Sequence, residues 1–300
     1  MIRIEHVTKA FETYKQPITA LDDVSITIPD GSIFGLVGSN GAGKSTLFRL
    51  LAGVYKPDKG ELFLDDEKIF NNPRAKEHIL FIPDDFYYLS NGSLDKMAKL
   101  YRSFYKSFDT DRYEDLKKKL DLDGKASLSS LSKGTRRRAV IALGLCAMPK
   151  VLLLDETFDG LDPMMRGAVR NLLYADVLER RSTILIATHS IRELEDTCDR
   201  MAMIHKGKVL LDSETDGATE GYVKIQFARS APYDSTLFED LSPLRFTQSG
   251  SVCTFMAKGD KTDLEVRLSS LDPMLLEIVP MNLEEVFLCK MEELGYTAAL

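Results

Sequence analysis

The stretch Ile33-Phe34-Gly35-Leu36-Val37-Gly38-Ser39-Asn40-Gly41-Ala42-Gly43-Lys44-Ser45-Thr46 decides how the rest of the chain is read. Its first five residues form a short apolar run of the kind that sits in a strand buried on both faces. Gly38-x-x-x-x-Gly43-Lys44-Ser45 then fits the P-loop, in which glycines let successive backbone N–H groups turn inward around phosphates. From Lys44 to Leu51 apolar residues fall at helical spacing, with Gly53 as the stop, so the anion also meets the positive end of a helix. Lys44 supplies a compact cation to the β- and γ-phosphates, and the Ser45 hydroxyl suits Mg²⁺. Ser39, Asn40, Gly41, Ala42 and Thr46 complete the candidate cradle. Strand before and helix after are both present, so nucleotide binding is expected.

Working outward, Val151–Leu154 and Thr183–Ala187 are two further continuous apolar runs, and the first half alternates strand-like with helix-like segments. That pattern implies an α/β fold with a mostly parallel sheet. Asp155 ends the first run and can place a carboxylate on the hydration shell of Mg²⁺. Glu156, next along, is free to orient or deprotonate an attacking water. His189 follows the second run, where an imidazole can hydrogen-bond the γ-phosphate and the general base together.

Net charge over the 300 residues is −7, a poor balance for a dedicated nucleic-acid binder, and no nucleic acid is expected as a partner. No stretch approaches the ~18 consecutive apolar residues of a membrane span. Charges interrupt the N-terminus where a signal peptide needs an apolar run, so a cytosolic location is expected. Cys146, Cys198, Cys253 and Cys289 lie far apart and read as reduced structural thiols. Between about 91 and 150 the character is helical. There Met97, Tyr101, Phe104, Tyr105 and Phe108 make one apolar stripe, read as core, while Arg136-Arg137-Arg138 splays around a helix and reads as a solvated face. After Gly221, Tyr222–Phe227 alternates, Leu244–Thr247 and Val252–Met256 flank Gly250 like a hairpin, and Asn282 with Glu285 opens a last helix whose apolar face runs to Leu294 before Gly295. A first domain over 1–220, with a helical part at about 91–145, is therefore expected to precede a small α+β domain over 221–300.

Leu131-Ser132-Lys133-Gly134-Thr135 adds a second anion-binding helix start to a chain that already has one for a nucleotide. Two such ends fit a head-to-tail dimer in which each copy closes the other's site. With Arg138 downstream, Asp159-Gly160-Leu161-Asp162 after Glu156, and His189, the first 220 residues or so resemble the ATP-binding cassette (ABC) superfamily. Leu131–Thr135 looks like its signature motif, Asp159–Asp162 like its D-loop and His189 like its switch histidine. The resemblance implies a P-loop NTPase cassette with an antiparallel β subdomain and a helical subdomain. It implies ATP and Mg²⁺ as cofactors, Glu156, His189 and Lys44 as catalytic groups, and Ser132, Gly134, Asp159 and Asp162 near the nucleotide. Phe11 matches the aromatic that stacks on adenine, with Tyr14 as a rival.

With no membrane span of its own, the chain looks like a detached ATPase subunit that pairs with a second cassette and powers a separately encoded permease on the inner face of the cell membrane. Its Thr157–Pro163 segment and small C-terminal domain are similar to sodium-export and bacitracin-resistance type subunits. The alternative is a soluble cassette ATPase acting on ribosomes, DNA or another protein complex. Departures from the family pattern are also legible. Asp84 (or Asp85) stands where Gln is usual after Phe81-Ile82-Pro83 and is a candidate Mg²⁺ ligand, and Lys133 and Thr135 replace the usual Gly and Gln of the signature.

Overall fold

The computed structural model describes every residue except Thr13, Lys15, Ser90, Asn91, Asp216 and 294–300. The chain divides into two units, Met1–Ser213 and a second starting at Glu214, slightly before the expected boundary.

The first unit holds two sheets. β1 (Ile2–Phe11), β2 (Ile18–Ile28), β4 (Lys59–Leu64) and β5 (Glu67–Lys68) form an antiparallel sheet in the order β2-β1-β4-β5. The larger sheet runs β10-β9-β3-β8-β7-β6, from β3 (Ile33–Val37), β6 (Ile79–Ile82), β7 (Val151–Asp155), β8 (Thr183–Thr188), β9 (Arg200–His205) and β10 (Lys208–Glu214). Its five strands from β9 to β6 are parallel, with Val37 level with Thr188 and Asp155 level with Ala187. Every residue of β3, β7 and β8 is buried, as their unbroken apolar runs require. This register sets the carboxyl ends of three adjacent strands side by side, the usual place for a ligand crevice in an α/β sheet.

Helix α1 (Lys44–Leu51) leaves the glycine-rich turn and buries Leu47, Phe48, Leu50 and Leu51 between the two sheets. Gly53, at φ 65° in the left-handed region, ends it with its N–H on the Leu50 carbonyl. Gly38 and Gly43 are obligatory for a packing reason: an added Cβ would lie 2.2 Å from the Ile204 carbonyl oxygen and 2.4 Å from that of Ala20. The short α2 (Pro73–Glu77) is capped by Asn72.

The helical region contains α3 (Leu94–Phe104), α4 (Thr110–Lys119) and α5 (Lys133–Cys146), capped by Ser93, Asp109 and Ser132. Two readings of the sequence change here. The aromatic stripe is not closed core: α3 stops at Phe104, which is exposed, and Tyr101, Phe104 and Tyr105 line one wall of an open groove of about 1070 Å³ with Phe81 and Phe86. Nor is Arg136–Arg138 a solvated face. Arg137 is 1% exposed, Arg136 donates to the Leu131 carbonyl and Arg138 to that of Leu120. Carbonyls at loop and helix ends need donors, and guanidinium groups reach them.

α6 (Pro163–Arg180) begins at Asp162, and the short α7 (Ile191–Glu195) follows β8. Asp176 on α6 is 1% exposed, pairs with Arg112 (2.6 Å) and accepts from Arg180 (3.0 Å) and Ser182 (2.6 Å), tying α4 to α6.

The second unit pairs β11 (Tyr222–Ala228), β12 (Leu244–Ser249), β13 (Val252–Lys258) and β14 (Leu275–Pro280) in the order β12-β13-β11-β14. Phe227, Phe238, Phe255 and, from α8 (Lys261–Ser269), Leu264 and Leu268 fill its core. α9 (Leu283–Glu293) opens with the expected reciprocal cap: the Glu285 N–H donates to Asn282 Oδ1 at 2.9 Å, and the Asn282 N–H to Glu285 Oε2 at 3.1 Å. Leu294 and Gly295 lie outside the described residues.

Asp176→Ala should lower the stability of the first unit by about 3 kcal/mol, the low end for breaking a buried ion pair because both arginines reach solvent. Urea denaturation checks this; a loss under about 0.5 kcal/mol, the range of ordinary surface changes, would show that the network carries no stability.

Candidate nucleotide site

Three strand ends assemble the site. The turn after β3 carries Gly38–Lys44, β7 ends in Asp155 and leads into Glu156, and β8 leads into His189. The turn is braced from outside: the Ala42 N–H donates to the Ser39 carbonyl at 3.1 Å, and the Gly207 N–H to the Ala42 carbonyl at 2.9 Å. Gly41, at φ 79°, has open space where a side chain would project.

Lys44 is buried, and its Nζ donates to the Gly38 carbonyl at 2.7 Å and the Ser39 carbonyl at 3.3 Å. Burial lowers its pKa, while the negative charges of Glu156 and Asp155 hold it up. Glu156 has φ 50°, a left-handed conformation that costs a non-glycine residue roughly 1 kcal/mol or more. Its N–H donates to the Ala187 carbonyl at 2.8 Å, which holds that turn against β8. The turn sets Glu156 Oε1 3.9 Å from Lys44 Nζ and Oε2 3.0 Å from His189 Nδ1. Glu156 and His189 thus make a hydrogen-bonded pair beside a buried cation. A carboxylate oriented by an imidazole is able to accept a proton from a water.

Asp155 is 3% exposed, and its Oδ1 has no hydrogen-bond partner among the described residues. Burial raises its pKa first of all; a hydrogen bond from Ser45 opposes this, and the neighbouring charge of Glu156 adds to it. A buried carboxylate oxygen without a partner beside a serine hydroxyl suits a hard divalent cation. The donor set therefore fits Mg²⁺, and the open, glycine-lined turn fits phosphates.

The other residues read from the sequence are placed less directly. Ser132 caps α5, its Oγ accepting from the Thr135 N–H at 3.1 Å, and Gly134 packs so closely on the D-loop that a Cβ would meet the Gly160 carbonyl oxygen at 2.4 Å. Lys133 Nζ lies 2.5 Å from Asp159 Oδ2 and holds that carboxyl below its usual range. Asp162 is the N-cap of α6, accepting from the Met165 N–H at 3.0 Å. Lys133 and Gly134 therefore tie the start of α5 to the D-loop, while Ser132 bonds within α5 at Thr135. Phe11 ends β1 edge-on to Tyr55, with ring centroids 5.4 Å apart, while Tyr14 is fully exposed. Asp84, read as a candidate metal ligand, accepts from Arg137 Nη2 at 2.5 Å. Sequence reasoning missed Arg137 altogether; one arginine within a run of three carries no mark of burial.

Fold and site together define a P-loop NTPase of the ABC cassette type. The ABC transporter family matches residues 21–159. YtrB, an ABC transporter ATP-binding protein of Bacillus subtilis, is 29% identical over 97% of this chain and 98% of its own. The methionine import ATP-binding protein MetN of Desulfitobacterium hafniense is 32% identical over 81% of this chain and 74% of its own. The structure of CbiO1 from Clostridium perfringens, part of the cbiONQ ABC transporter complex, superposes with a TM-score of 0.60 at 28% identity, covering 72% of this chain and 88% of that one. A dimeric bacterial ABC cassette, MJ0796, gives a TM-score of 0.66 at 23% identity, over 72% of this chain and 99% of that one. The chain belongs to the ATP-binding proteins of the ABC transporter family, and it is a nucleotide-binding ATPase.

Asp155→Asn should stabilise the nucleotide-free chain. Because burial raises the Asp155 pKa, the stability linked to its protonated form is present at low pH and is lost as pH rises through the raised value. At pH 7 the amide removes that cost, and relief of about 1 kcal/mol would raise Tm by about 2–4 °C in a unit of this size. Thermal unfolding with and without MgATP checks it: the variant should start higher and gain less from MgATP. A lower starting Tm would mean that Asp155 is already compensated by its surroundings.

Proposed function

We propose that this chain binds MgATP between its own P-loop and the signature helix of a second cassette, and that hydrolysis there drives a separately encoded membrane permease. The observation that carries this reading is the cluster in which Glu156 sits 3.0 Å from His189 and 3.9 Å from Lys44, next to the unpartnered oxygen of Asp155. Lys44 and the backbone N–H groups of Gly38–Thr46 hold the β- and γ-phosphates. Ser45 and Asp155 hold Mg²⁺, whose charge offsets that of the phosphoryl oxygens. Glu156 receives a proton from the attacking water, and His189 fixes the direction of that carboxylate and reaches toward the γ-phosphate. Ser132 and Gly134, at the start of α5, meet the triphosphate held by the other cassette, and Asp159 and Asp162 shape the loop between the two sites. Phe11 stacks on the adenine.

The groove lined by Phe81, Phe86, Tyr87, Tyr101 and Phe104 supports the permease reading. It is wide, aromatic and open, with Tyr87 77% and Phe104 74% exposed, the kind of surface that takes an amphipathic helix. Through such a partner the chain is peripheral on the inner face of the membrane. Among the described residues no helix is long and apolar enough to cross it.

Glu156→Gln should keep MgATP affinity within about threefold while lowering kcat by about 10³, within the range of general-base removal. Lys44→Ala should lose binding. A nucleotide titration beside steady-state hydrolysis checks both, and turnover near wild type in Glu156→Gln would remove that residue from the reaction.

A further inference from the structure

Arg137 heads the fully buried side chains by size, yet none of the roles above uses it. It stands one turn into α5, and its guanidinium spans two separate pieces of chain. Nη2 donates to Asp84 Oδ1 at 2.5 Å, and Nη1 to the carbonyls of Pro83 at 3.3 Å and Asp155 at 3.4 Å. Arg136, beside it, donates to the Tyr88 hydroxyl at 3.3 Å, with its guanidinium 5.6 Å from that ring. The segment from Pro83 to Tyr88 is thus held at both ends by neighbouring arginines of α5. Pro83, Phe86 and Tyr87 line the groove, and the Asp155 carbonyl immediately precedes the strained turn of Glu156. One buried cation therefore links the groove wall to the strand end that carries both carboxylates.

We propose that Arg137 is a positioning residue for the hydrolysis assigned above, a proposal that rests on that reading: with Asp84 it clamps the groove loop to the end of β7. The choice of groups suits a clamp. A guanidinium fork reaches three acceptors in fixed directions, which a lysine or an amide does not. The two ends of the ion pair are unequal: the Arg137 side chain is 2% exposed and that of Asp84 52%. The pair opens at Asp84, where water can take over the carboxylate, while Arg137 stays seated on the carbonyls. A helix pressed into the groove bears on this loop and thereby on the position of Asp155 and Glu156. Because Asp84 and Arg137 act through one contact, losing either should equal losing both.

The test compares the full chain with Arg137→Met, Asp84→Ala and the double variant, by steady-state MgATP hydrolysis and by amide hydrogen exchange over Asp84–Tyr88 without nucleotide. Each single variant should lower kcat by about tenfold with KM within about twofold, and the double variant should fall no more than about twofold below the weaker single. Exchange over Asp84–Tyr88 should quicken at least about tenfold in all three. Arg137→Lys, which keeps a cation near Asp84 but gives up the fork, should lie between wild type and Arg137→Met, and it serves where the methionine variant does not fold. Losses that multiply to about a hundredfold in the double variant, or unchanged exchange, would overturn the clamp. The exchange measurement judges the clamp independently of turnover, so a wild-type chain that hydrolyses no ATP would count against the functional reading alone.

Discussion

A lysine only 6% exposed, Lys44, is the constraint around which this site is organised. A buried cation costs several kcal/mol in lost hydration unless oxygen atoms answer it. Here the Gly38 and Ser39 carbonyls do so directly, and Glu156 lies within ion-pair distance. Asp155 presents the opposite problem a residue away from Glu156, with one oxygen left without a partner among the described residues. Charges this poorly satisfied are tolerable where a ligand completes them, and phosphate with a divalent cation supplies both missing signs. The parallel sheet makes the arrangement possible, because its register puts the ends of β3, β7 and β8 together.

Much of this was legible in the sequence because the relevant signals are local. Gly38–Ser45 carries its own geometry, the runs Val151–Leu154 and Thr183–Ala187 state double-sided burial, and Asn282 with Glu285 names a cap that the structure contains. What escaped reading depends on contacts between distant segments. Phe104 and Tyr105 fall on a helical stripe, but α3 ends at Phe104, so the stripe opens on a groove instead of closing as core. Arg137 looked like one member of a solvated run, since nothing in Arg136-Arg137-Arg138 reveals that carbonyls of Pro83 and Asp155 lie above the middle residue. The partner of Asp84 was hidden in the same way, because the ion pair that engages it comes from 53 residues further along.

The signature and D-loop form a second assembly in the same chain. Lys133 pairs with Asp159, and Gly134 approaches Gly160 too closely for any side chain. A glycine is needed at 134 for that approach, whereas Lys133 is a departure that adds an intrachain ion pair. Both partners are substantially exposed, so the pair itself contributes little stability. Its consequence is geometric: the start of α5 and the loop after Glu156 are tied to each other. In the proposed dimer, the helix end offered to the nucleotide would already be coupled to the loop after Glu156.

The central claim is that two cassettes close on the same triphosphate. Sedimentation velocity of the Glu156→Gln chain with saturating MgATP tests it most directly, because blocked hydrolysis leaves the closed state nowhere to go. The expected result is a shift from monomer to dimer that requires both Mg²⁺ and ATP and disappears with ADP. A chain that stays monomeric with MgATP, alone and beside its membrane partner, would contradict it.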